Sequence, residues 1–276
     1  MNHLHYFNSR WVPESELLIS ARDLSVARGF GIFDFLRTYQ KKPFRLKEHI
    51  DRFYRSADYL ELQIPVSKTE LFSIVEKGLS INDLSDAAIR MTLTGGVSPD
   101  FMTPANSSLI VGFYPCVNPD PKLYEQGAHI ITTPTMRHLP RAKSLSYLTA
   151  VLAQRAAKRV GAIEALYVDT LSGNVFEGTT TNIFCVKDGG IITPGKDILL
   201  GITRGVVFEL CESLQIVLRE QEVTLTDLLA SDEAFLTSTS KEIMPVVKID
   251  DRQIAQGAIG PITRKLIQAF HPLTRK

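Results

Sequence analysis

Hydrophobic and polar positions follow two different periods in the first third of the chain. Residues 4–39 contain short strand-like stretches broken by turn residues, of which the longest runs from Phe30 to Tyr39. From Lys47 to Leu62 the period becomes helical, with apolar positions on one face at Leu46, Ile50, Phe53, Ala57 and Leu60. The pattern predicts a β-rich start and an amphipathic helix, followed by a helix over Lys68–Leu79 and strands over Ala87–Leu93 and Ser108–Tyr114.

A proline-containing stretch from Pro115 to Gly127 has little periodicity and predicts a domain boundary. We therefore expect a small amino-terminal α/β domain over 1–118, a linker over 119–127 and a larger domain over 128–276. Beyond the boundary, strands and helices interleave without a strict βαβ rhythm, which favours an α+β fold with mixed sheets. The predicted elements are strands at His129–Thr133, Ala165–Asp169, Asn182–Val186 and Ile191–Thr193, and helices at Ser146–Val160, Thr203–Leu214 and Gly260–Phe270.

Composition narrows the classes of partner. The 276 residues carry 31 Lys and Arg against 30 Asp and Glu, a formal charge of +1, which argues against a nucleic-acid or membrane-surface partner. The sequence contains no apolar run of signal-peptide length and none approaching the roughly 18 residues of a spanning helix, so we expect a cytoplasmic protein. Cys116, Cys185 and Cys211 lack a CxxC spacing or nearby histidines, so we expect reduced thiols and no metal site.

Lys143 is the first residue that could carry chemistry. It lies between a proline-marked strand end and the apolar start of a predicted helix, where a lysine can point into a cleft. Lysines at such positions are solvent-exposed in most proteins, so position alone decides little. A Schiff-base enzyme requires a desolvated lysine with a lowered pKa, because only the neutral amine attacks a carbonyl.

Three further segments offer groups that bind anions or cations. Glu177 is followed by glycine, three threonines and Asn182, which places many hydrogen-bonding groups beside one carboxylate. The run Gly201-Ile202-Thr203 opens a helix, whose free amide groups suit a phosphate. Residues Phe235–Ser240 form a hydroxyl-rich strand end that can supply more donors. Each pattern also occurs in ordinary turns, helix starts and strand ends that bind nothing.

Taken in order, these segments resemble the signatures of the class IV aminotransferases. Arg28–Asp34 and Glu48–Phe53 in the first domain resemble two more signatures of that family, so the resemblance covers nearly the whole chain. It implies a two-domain enzyme of fold type IV that uses pyridoxal 5'-phosphate. It also implies a homodimer in which the loop after Arg28 reaches a neighbouring active site.

The resemblance assigns roles to individual residues. Lys143 forms the Schiff base and moves the proton between the substrate Cα and the cofactor C4′. Glu177 pairs with the pyridine nitrogen and keeps it protonated. The phosphate and the phenolic oxygen are bound by Arg52, Thr239, the amides of Ile202 and Thr203, and Tyr147, which we expect one helical turn past the lysine. A surface salt bridge for Arg52 and core packing for Tyr147 are the alternatives.

Residues near the substrate favour one branch of the family. Branched-chain aminotransferases have a glycine-rich run after the lysine, whereas this chain has Ser144-Leu145-Ser146, which is closer to D-amino acid transaminases. Bacillar D-amino acid transaminases hold the substrate carboxylate partly with a tyrosine, at about the position of Phe35. Arg28 and Arg90 instead resemble a type that clamps the α-carboxylate with two arginines. Pairing of Arg90 with a structural acid and surface exposure of Arg28 are the alternatives.

Two other activities stay open. Aminodeoxychorismate lyase, which converts 4-amino-4-deoxychorismate to p-aminobenzoate and pyruvate, shares the same cofactor chemistry, and two arginines also suit a dicarboxylate. Such lyases often carry threonine where this chain has Leu36 and Arg37. An L-branched-chain aminotransferase is the second alternative.

Overall fold

The computed structural model describes residues 3–274, which form two compact units. Unit 1 lies within Met1–Val117 and Arg141–Tyr147, and unit 2 lies within Asn118–Pro140 and Leu148–Lys276. These units differ from the predicted domains in two segments. Residues 119–127, predicted as a linker, belong to unit 2 and contain a helix at Lys122–Gln126. Residues 141–147, predicted in the larger domain, belong to unit 1 because Ser144 pairs with Ile32 as an isolated bridge.

Unit 1 is built on an antiparallel sheet of six strands in the order β2-β1-β6-β5-β3-β4. The strands are β1 (Leu4–Phe7), β2 (Arg10–Pro13), β3 (Gly31–Tyr39), β4 (Lys42–Pro43), β5 (Ala87–Thr94) and β6 (Leu109–Pro115). The helices are α1 (Leu24–Arg28), α2 (Leu46–Tyr59) and α3 (Lys68–Asn82), with a 3-10 turn at Glu14–Glu16.

The alternation of side chains along β3 and β5 decides which residues enter the core of unit 1. Ile32 and Leu36 of β3 and Met91 of β5 are fully buried and pack in one cluster with residues of α2 and α3, among them Phe53 and Leu71. Phe33 and Phe35 of β3 and Arg90 of β5 alternate with these residues, so their side chains face the other side of the sheet. One face of the sheet is therefore core, and the opposite face carries an arginine and aromatic rings.

Unit 2 contains a closed ring of six strands. Pairing runs β10-β14-β15-β7-β8-β9 and returns to β10 through Asn182 and Glu177. The strands of unit 2 are β7 (Ala128–Thr133), β8 (Glu164–Val168), β9 (Asn174–Gly178), β10 (Asn182–Lys187), β11 (Gly190–Thr193), β12 (Leu218–Glu220), β13 (Val223–Thr224), β14 (Glu233–Ser238), β15 (Glu242–Ile249) and β16 (Arg252–Gln253). Its helices are α4 (Lys122–Gln126), α5 (Leu148–Arg159), α6 (Ile202–Leu214), α7 (Leu225–Leu229) and α8 (Pro261–Thr274), with a 3-10 turn at Ala255–Gly257.

The mixed sheet of unit 2 confirms the predicted α+β class. The pairs β15–β7, β7–β8 and β11–β12 are parallel, and the other pairs are antiparallel. No helix within residues 3–274 is long and apolar enough to cross a membrane. Cys185 and Cys211 are free and buried, and burial raises the pKa of their thiols to about 11.

One local prediction was wrong, and two elements were missed. Helix α5 begins at Leu148, so Tyr147 precedes the helix and does not lie one turn along it. Glu177 lies inside strand β9, an element that the sequence did not predict. Arg28 ends the unpredicted helix α1, whose five residues are too short to show a helical period; Asp23 caps its start and Gly29, in the left-handed conformation, ends it.

Candidate active site

The backbone of Lys143 is fixed by strand β3 and helix α2 of unit 1. The carbonyl of Lys143 accepts a bond from the amide of Phe33 at 2.9 Å, and its own amide donates to Ser56 Oγ at 3.1 Å. The amide of Leu145 donates to Gly31 O at 2.9 Å. The half-buried side chain places Nζ 4.5 Å from the centroid of the Phe33 ring. Lys143 therefore lies on an extended segment with both flanks anchored, as a reactive amine requires.

Arg52 is held by a buried acid. Its Nε donates to Asp34 Oδ2 and its Nη2 to Asp34 Oδ1, both at 2.8 Å, and His49 Nδ1 lies 2.7 Å from Asp34 Oδ1. All three side chains are buried. The alternative of a surface salt bridge for Arg52 is therefore wrong, because its partner lies on the core face of β3. The bidentate contact fixes the plane of the guanidinium.

Charge in this triad is set by competition between burial and ion pairing. Burial alone raises the pKa of Asp34, but the Arg52 guanidinium and His49 outweigh it and hold that pKa well below its usual range. Burial lowers the pKa of His49; Asp34 opposes this, while Arg52 and Lys143 add to it. At neutral pH Asp34 is thus an anion and His49 a neutral ring.

The ring of Phe33 gathers three of the predicted residues. Arg90 Cζ lies 3.9 Å from its centroid, and the Tyr147 ring packs edge-on at 5.3 Å. We call Phe33, Arg90, Lys143 and Tyr147 the Phe33 cluster. Sequence analysis singled out Phe35 and missed Phe33; the strand alternation could have found it, because Phe33 shares a face of the sheet with Arg90.

Arg90 is a half-buried cation without an acid partner among residues 3–274. Burial lowers its pKa below the ordinary arginine value, and Tyr147, Tyr114 and, without forming an ion pair, Asp34 partly oppose this. An arginine nevertheless stays charged in proteins. The alternative in which Arg90 pairs with a structural Asp or Glu is therefore not realised in the described part of the chain.

Arg28 lies outside the Phe33 cluster. Its side chain is exposed, and Nε donates to Phe101 O at 3.2 Å while Nη1 reaches Ala27 O at 3.4 Å. Within one chain, the structure does not bring Arg28 to Lys143.

In unit 2, Glu177 is buried and paired with an arginine that sequence analysis missed. Arg137 Nε donates to Glu177 Oε1 at 2.5 Å, and Arg137 Nη2 donates to Thr179 O at 3.1 Å. Asn182 Nδ2 approaches Glu177 Oε2 at 3.4 Å. No local pattern marks Arg137, because it lies in a loop 40 residues before its partner.

Asn182 brings the other predicted elements of unit 2 to the same place. Its Nδ2 donates to Leu199 O at 2.8 Å, just before helix α6, and its backbone pairs with Thr237 of β14, two residues before Thr239. A Cβ at Gly201 would overlap Asn182 Oδ1, so only glycine permits this approach. Glu177, the start of α6 and the end of β14 therefore converge.

The start of α6 is suited to a phosphate. Its N-cap, Gly201, has no side chain to bond the first amides, which include those of Ile202 and Thr203. The buried hydroxyls of Thr181 and Thr237 have no hydrogen-bond partner among the described residues. Unit 2 thus offers an acid and an uncapped helix start, and unit 1 offers an amine and a guanidinium. Taken unit by unit, these groups are of the kinds that bind parts of pyridoxal 5'-phosphate.

Comparison with known proteins decides the family. The sequence model of the amino-transferase class IV family matches residues 31–249. The chain belongs to the class IV aminotransferases. It is 39% identical over 279 residues to a "putative branched-chain-amino-acid aminotransferase" of Methanocaldococcus jannaschii, covering 98% of this chain and 96% of that protein. It is 35% identical to the D-alanine aminotransferase of Staphylococcus epidermidis, covering 96% and 95%.

A solved structure of the family agrees with the fold of this aminotransferase. The T.th. branched-chain amino acid aminotransferase with pyridoxamine 5'-phosphate has a TM-score of 0.92 and 30% identity, covering 99% of this chain and 95% of that one. The enzyme is a transaminase that uses pyridoxal 5'-phosphate. That cofactor supplies an aldehyde that binds amines and a ring that takes up negative charge. Which residues hold it stays a prediction from the geometry above.

The first prediction concerns Lys143. Borohydride treatment of the holoenzyme should attach the cofactor permanently to Lys143, because this amine is the one anchored beside the Phe33 ring. Peptide mapping by mass spectrometry locates the label, and Lys143→Ala should abolish it. Lys241, a half-buried lysine of unit 2, serves as the control peptide. A label on Lys241 or on any other lysine would refute the assignment.

The second prediction concerns Asp34. Asp34→Asn should lower the unfolding free energy by about 3 kcal/mol at pH 7, because it leaves a buried Arg52 uncompensated, and should weaken binding of the cofactor by the apoprotein. Because the folded pKa of Asp34 is lowered, its contribution is present above pH about 4 and is lost as pH falls further. The difference between wild type and variant should therefore shrink in acid.

The control for Asp34 is Asp51, a carboxylate on the outer side of α2, the helix that carries Arg52 and His49. Asp51 pairs with Lys47 at 2.9 Å and Lys68 at 2.6 Å. Asp51→Asn should cost less than about 1 kcal/mol, because exposed pairs contribute little. The unfolding free energies of the two variants are measured by urea titration. Equal losses would show that the buried Asp34–Arg52 pair contributes no more than the exposed pairs of Asp51.

Proposed function

We propose that the enzyme transfers the amino group of a D-amino acid to a 2-keto acid. The observation that carries this proposal is Arg90, a half-buried guanidinium stacked on Phe33 with no acid partner among the described residues. A buried charge without a counter-ion costs free energy, so a carboxylate ligand is the partner that this position favours.

The position of Arg90 relative to Lys143 suits an α-amino acid. The two cationic groups lie 3.9 Å and 4.5 Å from the centroid of the same ring, so they are at most 8.4 Å apart. An α-amino acid carries its amine and carboxylate on one carbon and needs both groups held within a few ångströms. The Tyr147 ring also packs edge-on against this Phe33 ring.

Arg28 would supply the second half of the carboxylate clamp from the partner subunit of a homodimer. This part of the proposal rests on the family resemblance and on the placement of Arg28, whose exposed side chain is held by Phe101 O outside the Phe33 cluster. Two arginines can bind a planar carboxylate through several charge-assisted hydrogen bonds. A homodimer would thereby complete each active site.

The remaining residues take roles that their contacts support. Lys143 would hold and return the proton at the substrate Cα. Glu177, ionised beside Arg137, would keep the ring nitrogen of the cofactor protonated. The phosphate would be held by Arg52, by the amides of Ile202 and Thr203 and by Thr239, and Tyr147 would donate to the phenolic oxygen.

An L-branched-chain aminotransferase is the second candidate. It is favoured by the 39% identity to the Methanocaldococcus jannaschii protein and by the high TM-score to a branched-chain enzyme. The Ser144-Leu145-Ser146 run and the two arginines favour the D-amino acid reaction instead.

The third prediction separates these activities. Holoenzyme is mixed with D-glutamate or D-alanine, and separately with L-leucine, and conversion of the cofactor to its amine form is followed by absorbance. We expect kcat/KM to be higher for the D-donors. A preference for L-leucine would establish the second candidate, and release of pyruvate and p-aminobenzoate from aminodeoxychorismate would establish the lyase.

The fourth prediction concerns the arginine clamp. Arg90→Lys and Arg28→Ala should each raise KM for the preferred donor, a loss of about 1.5–3 kcal/mol per charge-assisted contact, while the cofactor spectrum stays unchanged. Arg22→Ala is the matched control. Like Arg28, Arg22 donates to a backbone carbonyl, that of Pro99, but it is not a candidate for binding the substrate carboxylate. Unchanged kinetics in both clamp variants, or an active species that sediments as a monomer, would refute the clamp.

A further inference from the structure

A second buried acid of unit 2, Glu164, has contacts that the proposed function does not use. Its side chain has no exposed surface and lies at the start of strand β8. Oε1 accepts bonds from the amide of Ala165 at 3.0 Å and from the amide of Thr179 at 3.2 Å, and it is also bonded by Gln154 Nε2 and Thr179 Oγ1. Oε2 accepts from Thr180 Oγ1 at 2.6 Å and lies 3.5 Å from Lys241 Nζ. Apart from the amide of the adjacent Ala165, five protein groups therefore converge on the Glu164 carboxylate.

The contacts of Glu164 lead through Thr179 and Arg137 to Glu177. Glu164 holds Thr179 by its amide and hydroxyl and Thr180 by its hydroxyl, so it binds the residues on both sides of the peptide that carries the Thr179 carbonyl. That carbonyl accepts from Arg137 Nη2 at 3.1 Å, and Arg137 Nε donates to Glu177 Oε1 at 2.5 Å. A planar guanidinium held at two nitrogens cannot rotate without breaking a bond at one end. The direction of the Glu177 carboxylate therefore depends on the position of Thr179, which Glu164 sets together with the 3.0 Å bond from the Thr179 amide to Ala165 O.

Packing leaves this arrangement little freedom. Gly178 lies between Glu177 and Thr179, and a Cβ there would overlap Thr181 Oγ1 and press on Glu164 Cγ at 3.0 Å. Strand β9 can lie this close to Glu164 only because residue 178 is glycine. Lys241 also donates to Thr180 Oγ1 at 3.0 Å, so the buried negative charge has a cation beside it.

We infer that Glu164 is a positioning residue of the transamination site, which acts on Glu177 through Thr179 and Arg137. This inference rests on the proposed role of Glu177 as the partner of the cofactor's ring nitrogen. Loosening the Thr179–Thr180 turn lets Arg137 and Glu177 move together, and a less well directed carboxylate stabilises the ring proton less. This network does not hold the substrate carboxylate. We therefore expect loss of the Glu164 contacts to change kcat and the protonation of the cofactor's ring nitrogen, and to leave KM little changed.

The fifth prediction tests the network in the holoenzyme, with whichever donor the wild type uses fastest. Glu164→Gln, which replaces a carboxylate by an amide facing hydrogen-bond donors, should lower kcat about tenfold and change KM less than about twofold. The pH titration of the bound cofactor's absorbance should shift in the same direction as in Glu177→Gln. In the Glu177→Gln background, Glu164→Gln should have no further effect, since the two act in one chain of contacts.

Two controls separate positioning from stability. Glu233 is also buried and binds backbone amides, those of Ile262 and Thr263 at 2.9 Å and 2.7 Å, but it caps α8 away from Glu177. Glu233→Gln should lower stability without moving kcat or the absorbance titration. If Glu164→Gln fails to fold, Thr179→Val, which removes the hydroxyl and keeps the carbonyl, should reproduce its effect, and Thr179→Ser should restore wild-type behaviour.

The outcomes distinguish the two claims. If Glu177→Gln leaves both kcat and the absorbance titration unchanged, the proposed role of Glu177 fails, and the inference about Glu164 fails with it. If Glu177→Gln has its effect while Glu164→Gln and Thr179→Val behave like Glu233→Gln, only the inference is overturned. Additive losses in the Glu164 and Glu177 double variant would overturn it as well, because they would show independent action.

Discussion

A buried charge must have a partner, and this constraint shapes both units of the aminotransferase. Asp34 is paired with Arg52 and His49, Glu177 with Arg137, and Glu164 with Lys241 and a set of neutral donors. Removing a partner from such a pair costs about 3–5 kcal/mol, more than most single apolar contacts contribute. Each pair also joins elements distant in sequence, so satisfying the charges places the strands and helices that carry the chemistry. Arg90 departs from this rule.

Elements with a clear local period could be predicted from the sequence. The apolar face of α2 and the alternation in β5 and β6 are local properties, and these elements lie within a few residues of their predicted bounds. The α+β class followed from the order of such elements. Short elements could not be found in this way, since a helix of five residues such as α1 has hardly more than one turn. The start of α5 was misplaced because Ser146 and Tyr147 continue the helical pattern, whereas the residues just before them, Lys143 to Leu145, are still paired with β3 and the helix begins only at Leu148.

The contacts of the candidate site depend on long-range pairing, which no local pattern encodes. Ser144 pairs with Ile32, distant in sequence, and this pairing, together with the backbone bonds of Lys143 and Leu145 to β3, brings Lys143 onto the ring of Phe33. Arg137 follows β7 and Glu177 lies on β9, and these two strands come close because both pair with β8. The family resemblance pointed to residues such as Lys143 and Glu177 as functional, whereas Phe33, Arg137 and Glu164 emerged only with the fold.

In the proposed mechanism, each unit supplies a different charge that transamination needs. An isolated buried carboxylate tends to take up a proton, and then it can no longer act as a counter-ion. Arg137 stays charged at every pH that the protein tolerates, so its contact favours the ionised form of Glu177 without help from the groups around Lys143. Unit 1 has the complementary property, because Arg90 forms no ion pair with an acid among residues 3–274. Under the proposed roles, the charge offered to the ring nitrogen would thus remain constant, while the charge offered to the substrate would be neutralised and restored in each turnover.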